Sequence, residues 1–222
     1  MPTYLFYVLD LWTERRRRRE ATGDVIIVRY ADDFIVGFEH ETDARRFLDE
    51  MRERMGTFAL SLHPEKTRLI EFGRHAAVNR KARGLGKPET FNFLGFTFIC
   101  GTSRRGGFLV KRKTRRDRMR AKLLEIKMEL QRRMHQPLPE QGKWLKQVVA
   151  GYFLYFAVPT NIRALKVFRD EVIRRWRQAL RRRSQKARMT WTRIAMIADY
   201  WLPRPRILHP WPNQRFAVTH PR

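Results

Sequence analysis

The stretch Val25-Ile26-Ile27-Val28-Arg29-Tyr30-Ala31-Asp32-Asp33-Phe34-Ile35-Val36-Gly37-Phe38 sets two short apolar runs on either side of a pair of aspartates. The runs are short, β-branched and apolar on both faces, which predicts buried strands. The interruption at Ala31-Asp32-Asp33 makes the pair a β-hairpin with an acidic tip. Adjacent carboxylates between apolar strands are costly unless something positive neutralises them. Asp32 and Asp33 supply the hard oxygens that Mg2+ takes, on a tip held by a sheet, and the short Ala31 leaves room beside them. An ordinary acidic turn is the plain alternative, since an Asp-Asp pair is common. The apolar strands on both sides favour the ligand reading.

Upstream, residues 4–20 read as a short helix with Tyr4, Tyr7, Val8 and Leu11 on one face, followed by Arg15 to Arg19. Five arginines in a row read as a solvated charge run, with phosphate contact as the lesser alternative. Gly23-Asp24 marks a turn. Downstream, Ala44, Phe47, Leu48, Met51 and Met55 repeat at helical spacing, predicting a helix of about fourteen residues with Thr42 as its cap. Leu60 to Thr67 leads into a predicted strand, Arg68 to Phe72. The Gly-, Lys- and Arg-rich stretch 73–89 reads as an exposed loop. Phe91 to Phe98 alternates with period two and predicts one strand, and a Gly-rich turn leads to another at Phe108 to Val110.

From residue 111 the β-branched runs disappear. Met119, Leu123, Ile126, Leu130 and Met134 mark a helix that Pro137 and Pro139 end. A second runs from about 141 to 156 with Trp144, Val148, Tyr152 and Phe156 on one side. Pro159-Thr160-Asn161 opens a third, with Leu165, Phe168, Val172, Trp176 and Leu180 inward. Its opposite face holds Arg163, Lys166, Arg169, Arg174, Arg175, Arg177 and Arg181. A short helix at Trp191 to Trp201 precedes a Pro-rich tail. The chain therefore reads as α+β, with a mixed part over 1–110 and a helical part over 111–222.

The balance of 48 Lys and Arg against 22 Asp and Glu, a formal net charge of +26, calls for a polyanionic partner. Nucleic acid fits best, with binding that weakens as salt rises. An anionic membrane surface is the lesser alternative, because the aromatics are spread over several helices. Hydrophobic residues at 43% suffice for a core. The lone Cys100 allows no intrachain disulfide, and no run is long enough to span a bilayer, so a cytosolic protein is expected. Trp144, Trp176, Trp191, Trp201 and Trp211 could stack on bases, but Trp144 and Trp176, at helical spacing, are expected in the core, while Trp211 between prolines is more open. His63 reads as a loop residue and Cys100 as strand-end packing.

The element Tyr30-Ala31-Asp32-Asp33 resembles the Tyr-x-Asp-Asp of reverse transcriptase palms. Leu60-Ser61-Leu62-His63-Pro64-Glu65-Lys66-Thr67 and Phe93-Leu94-Gly95-Phe96 resemble the blocks that follow it, in order. Trp144, Gly151-Tyr152-Phe153, Tyr155-Phe156, Asn161, Leu165 and Trp176 resemble the maturase-specific thumb of group II intron reverse transcriptases. Arg183-Ser184-Gln185-Lys186 and His209-Pro210-Trp211-Pro212 resemble its end. The resemblance implies a polymerase palm, an antiparallel sheet with packed helices, followed by an all-α thumb. It implies RNA-directed DNA synthesis and help with intron splicing, with Asp32 and Asp33 as catalytic ligands of a two-metal Mg2+ site. Tyr30 would pack under the primer end, Lys66 would lie near the active site or the template–primer backbone, and Leu94 and Gly95 would lie near the primer grip. Arg115, Arg116, Arg174, Arg175, Arg181, Arg182 and Lys186 would hold intron RNA. Partners implied are that RNA, an RNA template with its DNA primer, and an N-terminal half of the same enzyme.

The family carries fingers and a further palm aspartate ahead of this hairpin. Asp10 and Asp24 are poor substitutes, so negligible polymerase activity is expected of this chain alone. Six scattered histidines and one cysteine form no zinc cluster, so no endonuclease is expected. A palm cut this way should expose sheet edges and be poorly soluble without a partner. The competing readings are a non-catalytic maturase-like RNA-binding protein and an unrelated basic nucleic-acid binder.

Overall fold

A computed structural model describes residues 6–183, 188–212 and 214. Packing divides the chain into two units, residues 1–71 and 72–222. In the first, a π-turn at Phe6–Asp10 runs into α1 (Leu11–Arg19), followed by β1 (Val25–Tyr30), β2 (Asp33–Phe38) and α2 (Glu41–Thr57). β1 and β2 form the expected antiparallel hairpin, in a register from Val25↔Phe38 to Tyr30↔Asp33, but the strands are not buried on both faces as expected, since Ile26 is 67% and Val28 48% exposed. α2 forms because Ala44, Phe47, Met51 and Met55 fall on one face and are buried, with Glu41 and Asp43 favouring the helix dipole in the first turn. Thr42 is not its cap: His40 takes the N-cap position, and its side chain makes no capping bond. The anchor is Asp43, which is buried and accepts from the Thr22 N–H at 2.8 Å and the Thr22 hydroxyl at 2.9 Å. The Thr22 N–H, its hydroxyl and Arg46 hold that carboxyl below its ordinary pKa. Val8, Leu9, Phe47, Met51 and Met55 form the core, with Trp12, Phe34, Val36, Phe38, Leu60 and Leu62 around it.

Residues 68–72 are not a strand. An apolar stretch becomes a strand only where a neighbour completes its ladder, and the ladders formed here are β1–β2 and the β3–β4–β5 sheet of the second unit. The stretch 73–89 is not all loop, since Ala76–Ala82 forms α3, built on good helix formers. The predicted strand 91–98 is a hairpin, with β3 (Phe91–Phe93) and β4 (Phe96–Thr102) separated by Leu94-Gly95. Both turn residues have positive φ, 47° and 77°, as a two-residue type I′ turn requires. β5 (Phe108–Thr114) pairs with β4 and runs four residues beyond its predicted end at Val110.

The helices α4 (Arg116–Arg132), α5 (Leu138–Phe156), α6 (Ile162–Arg181) and α7 (Trp191–Trp201) enclose the larger core. Leu165, Phe168, Val172, Trp176 and Leu180 of α6 are buried as their spacing predicts. On α5 the inward face is turned by one position: Leu145, Val149, Tyr152 and Phe153 are buried, and Trp144, Val148 and Phe156 sit at the rim. Gln141 explains the rotation. Its side chain is fully buried, accepts from the Trp176 indole N–H at 2.8 Å and donates to the Arg133 carbonyl at 2.6 Å. A buried amide satisfied on both ends fixes how a helix is turned.

The packing boundary lies after Glu71, not near residue 110 where composition changes. Asn161 and Thr160 are the reason. Buried Asn161 accepts from the Thr114 N–H at 3.0 Å, and its amide donates to the Thr114 hydroxyl and the Phe156 carbonyl, both at 2.8 Å. Thr160, held at φ 77°, accepts from the Arg112 N–H at 2.9 Å. The open edge of β5 is thereby bonded to the α5–α6 corner, and the three-stranded sheet joins the helices.

Candidate functional site

The hairpin register leaves Ala31 and Asp32 as a two-residue loop and puts Asp33 first on β2, opposite Tyr30. Ala31 has φ 55°, a conformation that a non-glycine residue rarely adopts. Arg29 braces the tip. Its guanidinium donates to Asp10 through Nε at 2.7 Å and Nη2 at 2.5 Å, and through Nη1 to the Ala31 carbonyl at 2.9 Å. The Asp10 hydrogen bond raises the Arg29 pKa above its ordinary value. Asp10 is thus engaged in holding the tip.

Asp32 and Asp33 are exposed, and neither carboxylate has an ion pair or side-chain hydrogen bond among the described residues. Several other carboxylates of this unit are paired, Asp10 with Arg29, Glu41 with Arg45, Asp43 with Arg46 and Asp49 with Arg52, while Asp24, Glu53 and Glu65 likewise lack an ion pair among the described residues. A free, hard-oxygen pair on a braced turn fits a Mg2+ ion that keeps several waters. Among the described residues no three His, Cys, Asp or Glu side chains converge as a larger ligand set. Tyr30 is 64% exposed beside the pair, and Lys66 is exposed in the turn after His63.

The remaining expected site residues lie in the second unit. Leu94 and Gly95 form the β3–β4 turn. The Tyr155 hydroxyl donates to the Leu94 carbonyl at 2.9 Å, and the Arg115 N–H donates to the Gly95 carbonyl at 3.0 Å. A Cβ at Gly95 would lie 3.4 Å from the Phe156 ring, besides needing φ +77°. The structure thus brings Leu94, Gly95 and Arg115 together. Arg115 pairs with Asp117, while Arg174 and Arg175 share Glu171. Arg116, Arg181 and Arg182 are exposed, and each lacks an ion pair among the described residues. Lys186 lies outside the described residues.

Sequence reasoning set Asp10 aside, gave Arg29 and Gln141 no role, and named Tyr155 only within the thumb-like block. An arginine inside an apolar strand was the available hint for Arg29. Trp144 is at the core's edge with the Arg133 guanidinium 5.2 Å from its ring, whereas Trp176 is fully buried as expected. Cys100, on β4, accepts from the Gly73 N–H at 3.3 Å. Arg16, within the arginine run, is a structural residue: it pairs with Glu20 and Glu50 and lies 5.4 Å from the Trp12 ring.

The family model described as reverse transcriptase (RNA-dependent DNA polymerase) matches residues 3–98. The match covers the hairpin and its braces and extends into the sheet of the second unit, and it supports a relationship to RNA-directed DNA polymerases. No curated protein matches the chain. Among the described residues no helix is long and apolar enough to cross a membrane.

Proposed function

We propose that the chain is part of a group II intron reverse transcriptase/maturase, a protein that holds intron RNA and carries two ligands of a two-metal polymerase site. The observation that carries this reading is the unpaired Asp32–Asp33 doublet on its braced hairpin, inside the stretch that matches the reverse transcriptase model. In a chain of net charge +26, a carboxylate pair left without a cation suits a divalent ion. Asp32 and Asp33 would hold Mg2+, which when bound lowers the pKa of an attacking hydroxyl and stabilises a leaving phosphate. Tyr30 would lie under the primer end and Lys66 near the template–primer backbone. Leu94 and Gly95, fixed by Tyr155 and Arg115, would border the primer. Arg115, Arg116, Arg174, Arg175, Arg181, Arg182 and Lys186 would contact intron RNA.

Two carboxylates do not complete a two-metal site, so the chain alone should make no cDNA. Supplying a separate polypeptide with fingers and an aspartate-bearing palm strand should restore synthesis. The test is a pair of assays. Filter binding should show group II intron RNA held more tightly than an equally long unrelated RNA, and primer extension with Mg2+ should give no product from the chain alone. Equal affinity for both RNAs would leave the alternative of a general basic nucleic-acid binder. Robust cDNA from the isolated chain would overturn the incomplete-site reading.

A further inference from the structure

We infer that Trp191 is a stacking site for an unpaired base of the bound RNA, separate from the arginines that hold phosphates. The inference rests on the proposed RNA binding and adds which part of an RNA this surface takes. Trp191 opens α7 and remains 53% exposed, although most large aromatics of this unit are packed. The Arg177 guanidinium lies 4.2 Å from the centroid of its ring, the shortest such contact among the described residues. Arg177 is itself fixed, donating through Nε to the Met189 carbonyl at 3.0 Å. The ring is therefore held in one orientation by a cation on one side while more than half of the residue faces solvent.

A ring held in this way loses little freedom when a flat partner stacks on it, and every base offers such a face. The partner is an unpaired nucleotide, because a paired base in a duplex has its faces covered by its neighbours. The surrounding charge suits the attached backbone: Arg181 lies one turn from Arg177 on α6, and Arg188 and Arg193 flank Trp191 in sequence. All three are exposed and lack ion pairs among the described residues. Stacking and phosphate contact are thus available within one short stretch of α6 and α7. Trp176, with its indole N–H spent on Gln141, offers neither.

The test uses the full chain, a single-stranded oligouridine and a blunt RNA duplex of equal phosphate number. Trp191→Ala should weaken oligouridine binding about tenfold and leave duplex binding within about twofold, with an unchanged salt slope. Trp191→Phe should retain most of the single-strand affinity. Oligouridine should quench the tryptophan fluorescence of the wild type more than that of Trp191→Phe. If Trp191→Ala binds oligouridine like the wild type, or loses single-strand and duplex affinity equally, the stacking site is wrong while RNA binding stands. If the wild type binds neither RNA, the proposed function fails, and the stacking site with it.

Discussion

The two units carry their charge in opposite ways. Residues 1–71 hold 12 Lys and Arg against 14 Asp and Glu, whereas residues 72–222 hold 36 against 8. The whole positive excess of the chain therefore belongs to the second unit. In the first, several arginines pair with carboxylates: Arg29 with Asp10, Arg45 with Glu41, Arg46 with Asp43, Arg52 with Asp49, and Arg16 with both Glu20 and Glu50. With carboxylates in slight excess there, Asp32 and Asp33 are among those that have no ion pair among the described residues. In the second unit, eight carboxylates cannot neutralise 36 cations, so surplus arginines remain for phosphates. On the proposed reading, charge balance would separate a seat for a divalent cation from a grip for a polyanion.

The comparison breaks most visibly in RNA affinity. Replacing Arg116, Arg181 and Arg182 together by Ala should weaken RNA binding about 100-fold at physiological salt and lower the log–log salt slope by about 2 to 3. The triple replacement of Arg45, Arg52 and Arg54 in the first unit should cost less than about threefold. Equal losses in filter binding would mean that the grip is not confined to the second unit.

The tie between sheet and helices is the next to fail. Asn161→Leu leaves the Thr114 N–H buried without its partner and removes one of the two donors to the Phe156 carbonyl, which keeps the Val158 N–H, and should cost about 2 to 4 kcal/mol in urea unfolding. The loss should fall on the transition of the second unit, with that of the first unmoved. A single shared transition shifting as a whole would contradict the division after Glu71.

A smaller effect sharpens the picture of the larger core. The Tyr152 hydroxyl is buried without a well-formed hydrogen bond, and burial pushes its pKa up to about 12. Its folded-state value lies above that of the unfolded chain, so the native state keeps a proton that the unfolded state gives up. Stability should be level below pH 10 and fall between pH 10 and 12, by about 3 kcal/mol at most from this group. Tyr152→Phe should change stability at pH 7 by less than about 1 kcal/mol and flatten that alkaline decline, as thermal melts across this pH range would show. An unchanged alkaline slope would place the titrating group elsewhere.

What was legible in the sequence follows from the range of the forces involved. The Val25–Phe38 hairpin, the buried face of α6 and the limits of α7 come from local periodicity, and each is found where the spacing puts it. The Phe91–Phe98 alternation was read through its turn because Leu94 is an unusual residue for positive φ. That conformation is fixed from a distance, by Tyr155 and Arg115 on the carbonyls of Leu94 and Gly95. Residues 68–72 had the composition of a strand and no partner to make them one. The boundary after Glu71 was hidden because Asn161 and Thr160 bond to residues 47 and 48 positions away. At the site, the acidic doublet was plain in the sequence, while its brace of Arg29 and Asp10 spans 19 residues and needed the fold.

The most direct measurement of the central claim is localised cleavage of the protein backbone by Fe2+ standing in for Mg2+, with ascorbate and peroxide. The account predicts cuts within a few residues of Asp32 and Asp33, suppressed by excess Mg2+ and abolished in Asp32→Asn/Asp33→Asn, with RNA affinity undiminished in that variant. Cleavage elsewhere only, or the same cuts in the double variant, would contradict it.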